Sequence, residues 1–394
     1  MLAESYLTWI CVGCVAYTYV VYPLLIAAAA RLVGRTPRRA PCSSSVSVVL
    51  AAYNEAAVIA GRVRELLGQI ESAGLKGEVI LVSDGSTDGT GDVAKAGANC
   101  GTLHVIEFAN NRGKAVALSE GCRAAQHDIV VFADARQRWA PDAMQRLLEN
   151  FADPSVGAVS GDLVLEQASG VMAGVGLYWR YEKWLRRSEG RVHSTVGVTG
   201  AISAVRRTLF RPIPAGTILD DVCWPLSVVL QGFRSVHDER AIAYDRLPER
   251  AANELRRKVR TLSGNYQLPL RLPAALVPWR NPIWLQFVSH KLLRLAVPWA
   301  LVGLLAGSAL LESPVYRVLF WGQVAVYIVG LAGLAPKVST RFRIASAAAS
   351  FLVLNFAAWL AFWVWISGRA GKSWVKVSYA TRDVRPKSYA EGVQ

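Results

Sequence analysis

The chain has 394 residues, 53% of them hydrophobic and only 19% charged, with a formal net charge of +15. That length exceeds one compact core, and that composition excludes a disordered chain or a small disulfide-stapled scaffold. The basic excess comes without a helix-turn-helix, zinc-finger or RNA-binding signature, so it reads as basic loops facing membrane lipids, with no nucleic acid as partner.

Residues 7–30 carry no charge, and at about 1.5 Å per residue they can cross a hydrocarbon core of about 30 Å. A cleaved signal peptide would open on a basic stretch, whereas this run follows Glu4 and precedes Arg31, Arg35, Arg38 and Arg39. The pattern predicts an uncleaved span with the following domain in the cytoplasm. Cys11 and Cys14 have CxxC spacing inside this run with no second pair, which suits small helix residues better than a metal site. Cys42, Cys100, Cys122 and Cys223 are scattered and form no disulfide framework, so a reducing location is expected for the central domain.

From 39 to 269 strands alternate with helices. Val46 to Leu50 reads as a buried strand, followed by a helix through Leu67. Val79 to Val82, His104 to Ile106 and Ile129 to Phe132 read as three more strands, with a helix from Lys114 to Arg123 before the last. The alternation predicts an α/β domain with a parallel sheet and helices on both faces. The stretch 268–294 is rich in Pro, Trp and Arg and reads as interfacial, with Trp279 and Trp284 at headgroup level. Runs 295–311, 318–334 and 344–367 read as three spans, with Lys337, Arg341 and Arg343 on a cytoplasmic loop. One span before the domain and three after it put the tail outside, although it carries Arg369, Lys372, Lys376, Arg382, Arg385 and Lys387. Either the charge rule fails there or one run is re-entrant or interfacial. The expected division is a span in 1–35, a cytosolic domain in 36–270, an interfacial segment in 271–294, a membrane region in 295–368 and a tail in 369–394.

In an open parallel sheet, ligands bind at the carboxyl ends of the strands. The first strand is followed by Ala51-Ala52-Tyr53-Asn54-Glu55, and the second by Ser83-Asp84-Gly85-Ser86-Thr87-Asp88. The second stretch is also what a turn and helix N-cap would use. After the third strand, Gly113-Lys114 opens a helix and suits a diphosphate. After the fourth, Asp134 is a candidate metal or sugar ligand. Four such sites along one sheet edge are far more specific than any one of them.

Together these residues resemble inverting family 2 glycosyltransferases with the nucleotide-diphospho-sugar (GT-A) fold and flanking transmembrane helices. Among them the sequence is most similar to the membrane-integrated synthases of hyaluronan, chitin, cellulose and poly-N-acetylglucosamine. The resemblance covers about 44–270. It implies donor nucleotide binding by Ala52, Tyr53, Glu55, Asp84, Lys114, Asp134 and Arg136, and an acceptor end lined by Thr199, Gly200 and Ala201. It implies Asp221 as general base beside Asp220, in the place of a Thr-Glu-Asp segment. It also implies Arg257 and Arg260 as diphosphate-binding residues, in the place of Gln-x-x-Arg-Trp, and Mg²⁺ or Mn²⁺ held by Asp134. The chemistry suits the types: inverting transfer needs a carboxylate to take the acceptor proton, and the diphosphate leaving group needs positive charge.

Two positions depart from the family. Arg136 stands where the second acid of Asp-x-Asp is expected, which removes a metal ligand and supplies a cation. Thr261 replaces the Trp that stacks under the acceptor sugar, which weakens the case for long processive synthesis. Tyr266 and Trp224 are candidate substitutes. The five histidines, His104, His127, His193, His237 and His290, lack ligand spacing and read as structural. Tyr178, Trp179, Tyr181 and Trp184 read as packing or as a sugar platform. The expectation is a multi-pass inner-membrane enzyme with its catalytic domain in the cytoplasm. It would transfer from a UDP-sugar to a growing polysaccharide or a lipid-linked acceptor, with export machinery as a further partner. The alternatives are a single-sugar transferase acting on a polyprenyl-phosphate-linked acceptor and a silent membrane scaffold.

Overall fold

The computed structural model describes residues 2–97, 102–166, 172–246 and 251–370. Cys100 and the tail residues Lys372, Lys376, Arg382, Arg385 and Lys387 lie outside them. The N-terminal candidate span, Glu4–Leu32, comprises α1 (Leu2–Ala16), a π turn (Tyr17–Val21) and α2 (Tyr22–Leu32).

The domain that follows has a single sheet in the order β3-β2-β1-β4-β7-β6-β8-β5. Its strands are β1 (Val46–Ala52), β2 (Gly77–Asp84), β3 (Leu103–Phe108), β4 (Ile129–Ala133), β5 (Arg138–Trp139), β6 (Val156–Glu166), β7 (Ile202–Arg206) and β8 (Arg234–Arg246). Helices α3 (Ala56–Ser72), α4 (Thr90–Ala96) and α5 (Lys114–Ala124) connect the first four strands, which pair in parallel as their pattern predicts. The expectation of a parallel sheet fails beyond β4. There β7 runs antiparallel to both β4 and β6, while β8 returns parallel to β6. The elements β6, helix Met172–Val192, β7, helix Asp220–Leu230 and β8 still alternate strand and helix, so alternation alone does not fix strand direction.

Alternate residues of β1 face opposite layers, which is why the strand is apolar on both faces apart from Ser47. Val48 and Leu50 pack with Ile59, Val63 and Leu66 of α3 and with Met144 and Leu147 of α6 (Ala143–Leu148). Val49 packs with Ala117 and Leu118 of α5 and with Val222 and Leu226 of α8 (Asp220–Leu230). Between these layers and the spans lie α7 (Met172–Val192) and α9 (Ala251–Arg271). On α7, Tyr181 and Leu185 pack against Tyr22 and Ile26 of α2, so this part of the aromatic cluster serves packing.

Among the described residues four helices are long and apolar enough to cross a membrane: Glu4–Leu32, Trp284–Leu310, Pro314–Ala332 and Arg343–Ile366. The second comprises α10 (Trp284–Gln286), a π turn (Phe287–Leu292) and α11 (Leu293–Leu310). After it come α12 (Pro314–Ala332), α13 (Pro336–Arg341) and α14 (Arg343–Ile366). The second span therefore starts at Trp284, eleven residues before the apolar run at 295, and takes in part of the expected interfacial segment. His290, Lys291 and Arg294 interrupt the run in sequence, but α7 supplies partners for His290 and Arg294. The imidazole of His290 lies 2.8 Å from Glu189 Oε1 and 2.7 Å from Glu182 Oε1, and Arg294 donates to Glu182 Oε2 at 2.8 Å. Tyr22 also donates to Glu189 Oε1, at 2.6 Å. Cys11 packs with Ala300 and Leu304 of α11 rather than at a metal site.

Candidate active site

The loops after β1 and β2 are stapled to each other. Asn54 adopts φ 55°, a conformation that Asn tolerates better than most residues. Its Oδ1 accepts from the Thr87 backbone N–H at 2.8 Å, and its own N–H donates to Ser86 Oγ at 3.1 Å. Glu55 N–H donates to Thr90 Oγ1 at 2.9 Å, and Ala56 N–H to Asp88 Oδ2 at 3.1 Å. The Ser-Thr-Asp stretch is thus a turn and also a clamp that fixes Tyr53 and Glu55 beside Ala52 at the sheet edge.

Asp84, expected at the nucleoside, spends its carboxylate on the next loop. It accepts from Arg112 N–H at 2.6 Å and Gly113 N–H at 2.9 Å. These bonds set the entry to α5 and so aim its first residue, Lys114, into the cleft. The Lys114 ammonium donates to Asp134 Oδ1 at 2.7 Å and lies 3.8 Å from Asp220 Oδ2. Burial pulls its pKa down, but Asp134 and Asp220 outweigh that and raise it above the usual lysine value.

The acceptor-side segment crosses above this pair. Val198 N–H donates to the Asp221 carbonyl at 2.8 Å, Thr199 N–H to Ser160 Oγ at 2.9 Å, and Trp139 Nε1 to the Ala201 carbonyl at 3.0 Å. A Cβ on Gly200 would lie 3.4 Å from Lys114 Nζ and 3.7 Å from Asp134 Oδ2, so the backbone passes directly over both groups. Asp220 and Asp221 open α8, and about 100° of helical turn separates them. Asp220 turns to Lys114. Burial, then the charge of Asp220, pushes the Asp221 carboxyl up to about 6, against the pull of Lys114, Lys291 and Arg186. Lys114, Asp134, Gly200, Asp220, Asp221 and Trp224 line one cleft.

Other expected residues stand elsewhere. Glu55 and Arg136 pair with each other, at 2.6 Å. Arg257 is exposed and Arg260 half-buried on α9, and neither lines the cleft. Helix α9 supports the site from behind: a Cβ on Gly264 would lie 2.5 Å from Leu219 Cγ, and Gln267 Oε1 accepts from Ile218 N–H at 3.0 Å. Tyr266 stacks on Trp365 at 5.6 Å and donates to the Leu295 carbonyl, so it is no sugar platform; Trp224 is at the cleft. Sequence reading missed Gln267, Lys291 and Arg186, which share no motif and meet α8 only through the tertiary fold.

The donor set bears on a metal. Among the described residues no group of three or more His, Cys, Asp or Glu side chains could hold one. Asp134 is a hard oxygen ligand with Oδ1 on Lys114, and Arg136 ligates nothing. One carboxylate completed by phosphate oxygens and water is an ordinary arrangement for Mg²⁺ or Mn²⁺ bound with a nucleotide, so the residues fit a singly anchored cation.

Residues 47–213 match the family described as Glycosyl transferase family 2. Poly-beta-1,6-N-acetyl-D-glucosamine synthase of Staphylococcus aureus (strain COL) is 25% identical over 232 residues, 57% of this chain and 56% of that protein. The enzyme of the same name from Staphylococcus epidermidis is 23% identical over 232 residues, with the same shares of both chains. The chain spans about half the length of these relatives. A solved structure, the mannosyltransferase PcManGT from Pyrobaculum calidifontis in complex with GDP-Man and Mn²⁺, superposes with a TM-score of 0.68 at 23% identity, covering 92% of this chain and 99% of that one. Residues 47–213 thus resemble family 2 glycosyltransferases in sequence, and the chain shares the GT-A fold.

Proposed function

We propose that this domain performs inverting transfer from a UDP-sugar to a saccharide hydroxyl of a growing polysaccharide or lipid-linked acceptor. One observation carries this reading. Asp221, its carboxyl pushed up to about 6, shares a cleft with the cation Lys114 and with Asp134. A base near neutrality thus faces a site for a diphosphate leaving group.

The donor nucleoside lies along Tyr53 and Glu55, with its diphosphate toward Lys114, and Thr199 to Ala201 guide the acceptor. Asp221 takes the acceptor hydroxyl proton as that oxygen bonds to the anomeric carbon. The bond from that carbon to the diphosphate oxygen breaks on the opposite face, the configuration inverts and UDP departs. Lys114 holds the charge that grows on the leaving oxygen. A divalent cation bound through Asp134 would add to that neutralisation. Arg257 and Arg260 face the departing nucleotide only if α9 shifts toward the cleft.

The relatives' names favour UDP-N-acetylglucosamine, and the solved neighbour adds GDP-mannose as a donor to test. Arg31, Arg35, Arg38 and Arg39, just after the first span, favour a domain on the cytoplasmic face of a multi-pass plasma-membrane protein, with export machinery beyond it. Thr261 favours a second reading, addition of single sugars or short chains. Product analysis with the purified protein in lipid and a panel of labelled UDP-sugars plus GDP-mannose tests the function. Release of labelled UDP with a glycosylated product is expected, and no nucleotide release from any donor would favour a silent scaffold.

A further inference from the structure

Two carboxylates from distant parts of the chain converge on one point of the cleft. Asp134 follows β4 and Asp220 opens α8. The Lys114 ammonium fills the point between them, 2.7 Å from Asp134 Oδ1 and 3.8 Å from Asp220 Oδ2. All three side chains are mostly buried and line the same cleft.

Each of the three is held in place separately. Asp84 accepts from the Arg112 and Gly113 N–H groups and so fixes the start of α5 below Lys114. Arg62, fully buried on α3, donates from Nε to the Asp134 carbonyl at 3.1 Å. The Asp221 carbonyl, next along the chain from Asp220, accepts from Val198 N–H at 2.8 Å. Gly200 leaves room above the point, because a Cβ there would lie 3.4 Å from Lys114 Nζ and 3.7 Å from Asp134 Oδ2.

Hard oxygen ligands of this kind suit a divalent cation as well as an ammonium. Arg136, two residues after Asp134, contributes no ligand and is turned to Glu55 at 2.6 Å. Asp220 is the second carboxylate that reaches the point instead. The two cations exclude each other. An ammonium and a divalent ion on one carboxylate would lie a few ångströms apart, and in a mostly buried site water screens their repulsion poorly.

We propose that Lys114 is the resident counter-ion of a metal position formed by Asp134 and Asp220, and that a divalent cation enters only as Lys114 leaves Asp134 for the donor's diphosphate. The diphosphate rests on the glycosyl-transfer reading; the exchange of lysine for metal does not. Metal and nucleotide then favour each other's binding, since the anion that receives the lysine also frees the carboxylate.

The test follows Mn²⁺ binding to the full chain in detergent by electron paramagnetic resonance, first without nucleotide. Lys114→Gln should bind Mn²⁺ about tenfold tighter or more than the wild type, and Lys114→Arg should stay as weak as the wild type. Lys114→Met is the second neutral variant, for use if the glutamine protein does not fold. In the Lys114→Gln background Asp134→Asn should abolish the gain, and Asp220→Asn should reduce it several-fold. Adding UDP should tighten Mn²⁺ binding more in the wild type than in Lys114→Gln. An affinity no higher than wild type in a folded Lys114→Gln or Lys114→Met protein would overturn the proposal, as would a gain that survives Asp134→Asn. A gain untouched by Asp220→Asn would overturn the paired position, and an equal UDP effect in both proteins would overturn the transfer of lysine to the diphosphate. Nucleotide release from labelled donors is measured separately on the wild type. Its absence would count against the transferase reading and leave the Mn²⁺ result standing.

Discussion

Arg136 holds Glu55 with two hydrogen bonds to Oε1, from Nε at 2.8 Å and from Nη2 at 2.6 Å. The pair ties the end of β4 to the end of β1, across the point where the connections to neighbouring strands diverge. Arg136 is therefore a brace for the loop that follows β1.

A double-mutant cycle measures that brace. Glu55→Gln and Arg136→Ala should each raise the donor Kd, and the two should couple by about 1–3 kcal/mol because both groups are half-buried or better. Additive effects in calorimetric donor titrations would show that the pair is incidental. With Lys114 supplying charge in the cleft, part of the turnover should also persist in EDTA, and Lys114→Gln should remove that part. Complete loss in chelator for the wild type would contradict this.

Asp221→Asn should lower kcat by about 10²–10⁴-fold and leave the donor KM nearly unchanged, because a base acts in the transition state. Asp220→Asn should cost less. The base must be ionised, so kcat/KM should rise through about pH 6 and level off above it. Stability should run the other way. A carboxyl whose folded pKa is raised binds more protons folded than unfolded between about pH 4 and 6, so stability falls as pH rises through that window. At pH 7 Asp221→Asn should then stabilise the protein, by up to about 3 kcal/mol. A melting temperature lowered at pH 7 would argue against the raised carboxyl.

Product length tests Thr261. It is exposed on α9, its hydroxyl donates to the Arg257 carbonyl at 3.0 Å, and Tyr266 turns to the span. An aromatic contact with a sliding sugar contributes about 1 kcal/mol beyond its area burial, so its loss favours release over translocation by about five- to tenfold. Size-exclusion analysis should find single additions or short oligosaccharides, lengthened by Thr261→Trp. Wild-type polymer of hundreds of sugars would show that Thr261 does not limit length.

Glu182 tests the joint between domain and span. It is buried between His290 and Arg294, and their charges, once burial is overcome, hold its carboxyl well below the usual range. Glu182→Ala should destabilise the protein by about 3–5 kcal/mol, because it strands buried cations. Thermal unfolding in detergent measures this, and an unchanged transition would mean that water already satisfies the cluster.

The sequence by itself located the first four strands, the helices after the first and third of them and three of the four apolar helices among the described residues to within about five residues at each end, because these elements leave long apolar runs. It also pointed to Lys114 and Asp134, which follow consecutive strands along one sheet edge, while Gly200, Asp220 and Asp221 were indicated by the family resemblance. Only the tertiary structure decided the rest. The antiparallel β7 brings Gly200 over Lys114, a contact between residues 86 positions apart that no local pattern encodes. The start of the second span at Trp284 was hidden because His290 and Arg294 read as breaks until Glu182 and Glu189 of α7 meet them. The pairing of Arg136 with Glu55, the turn of Tyr266 away from the cleft and the approach of Lys291 to Asp221 are likewise long-range. A charge or a ring has one meaning in a string and another once folding chooses its neighbours.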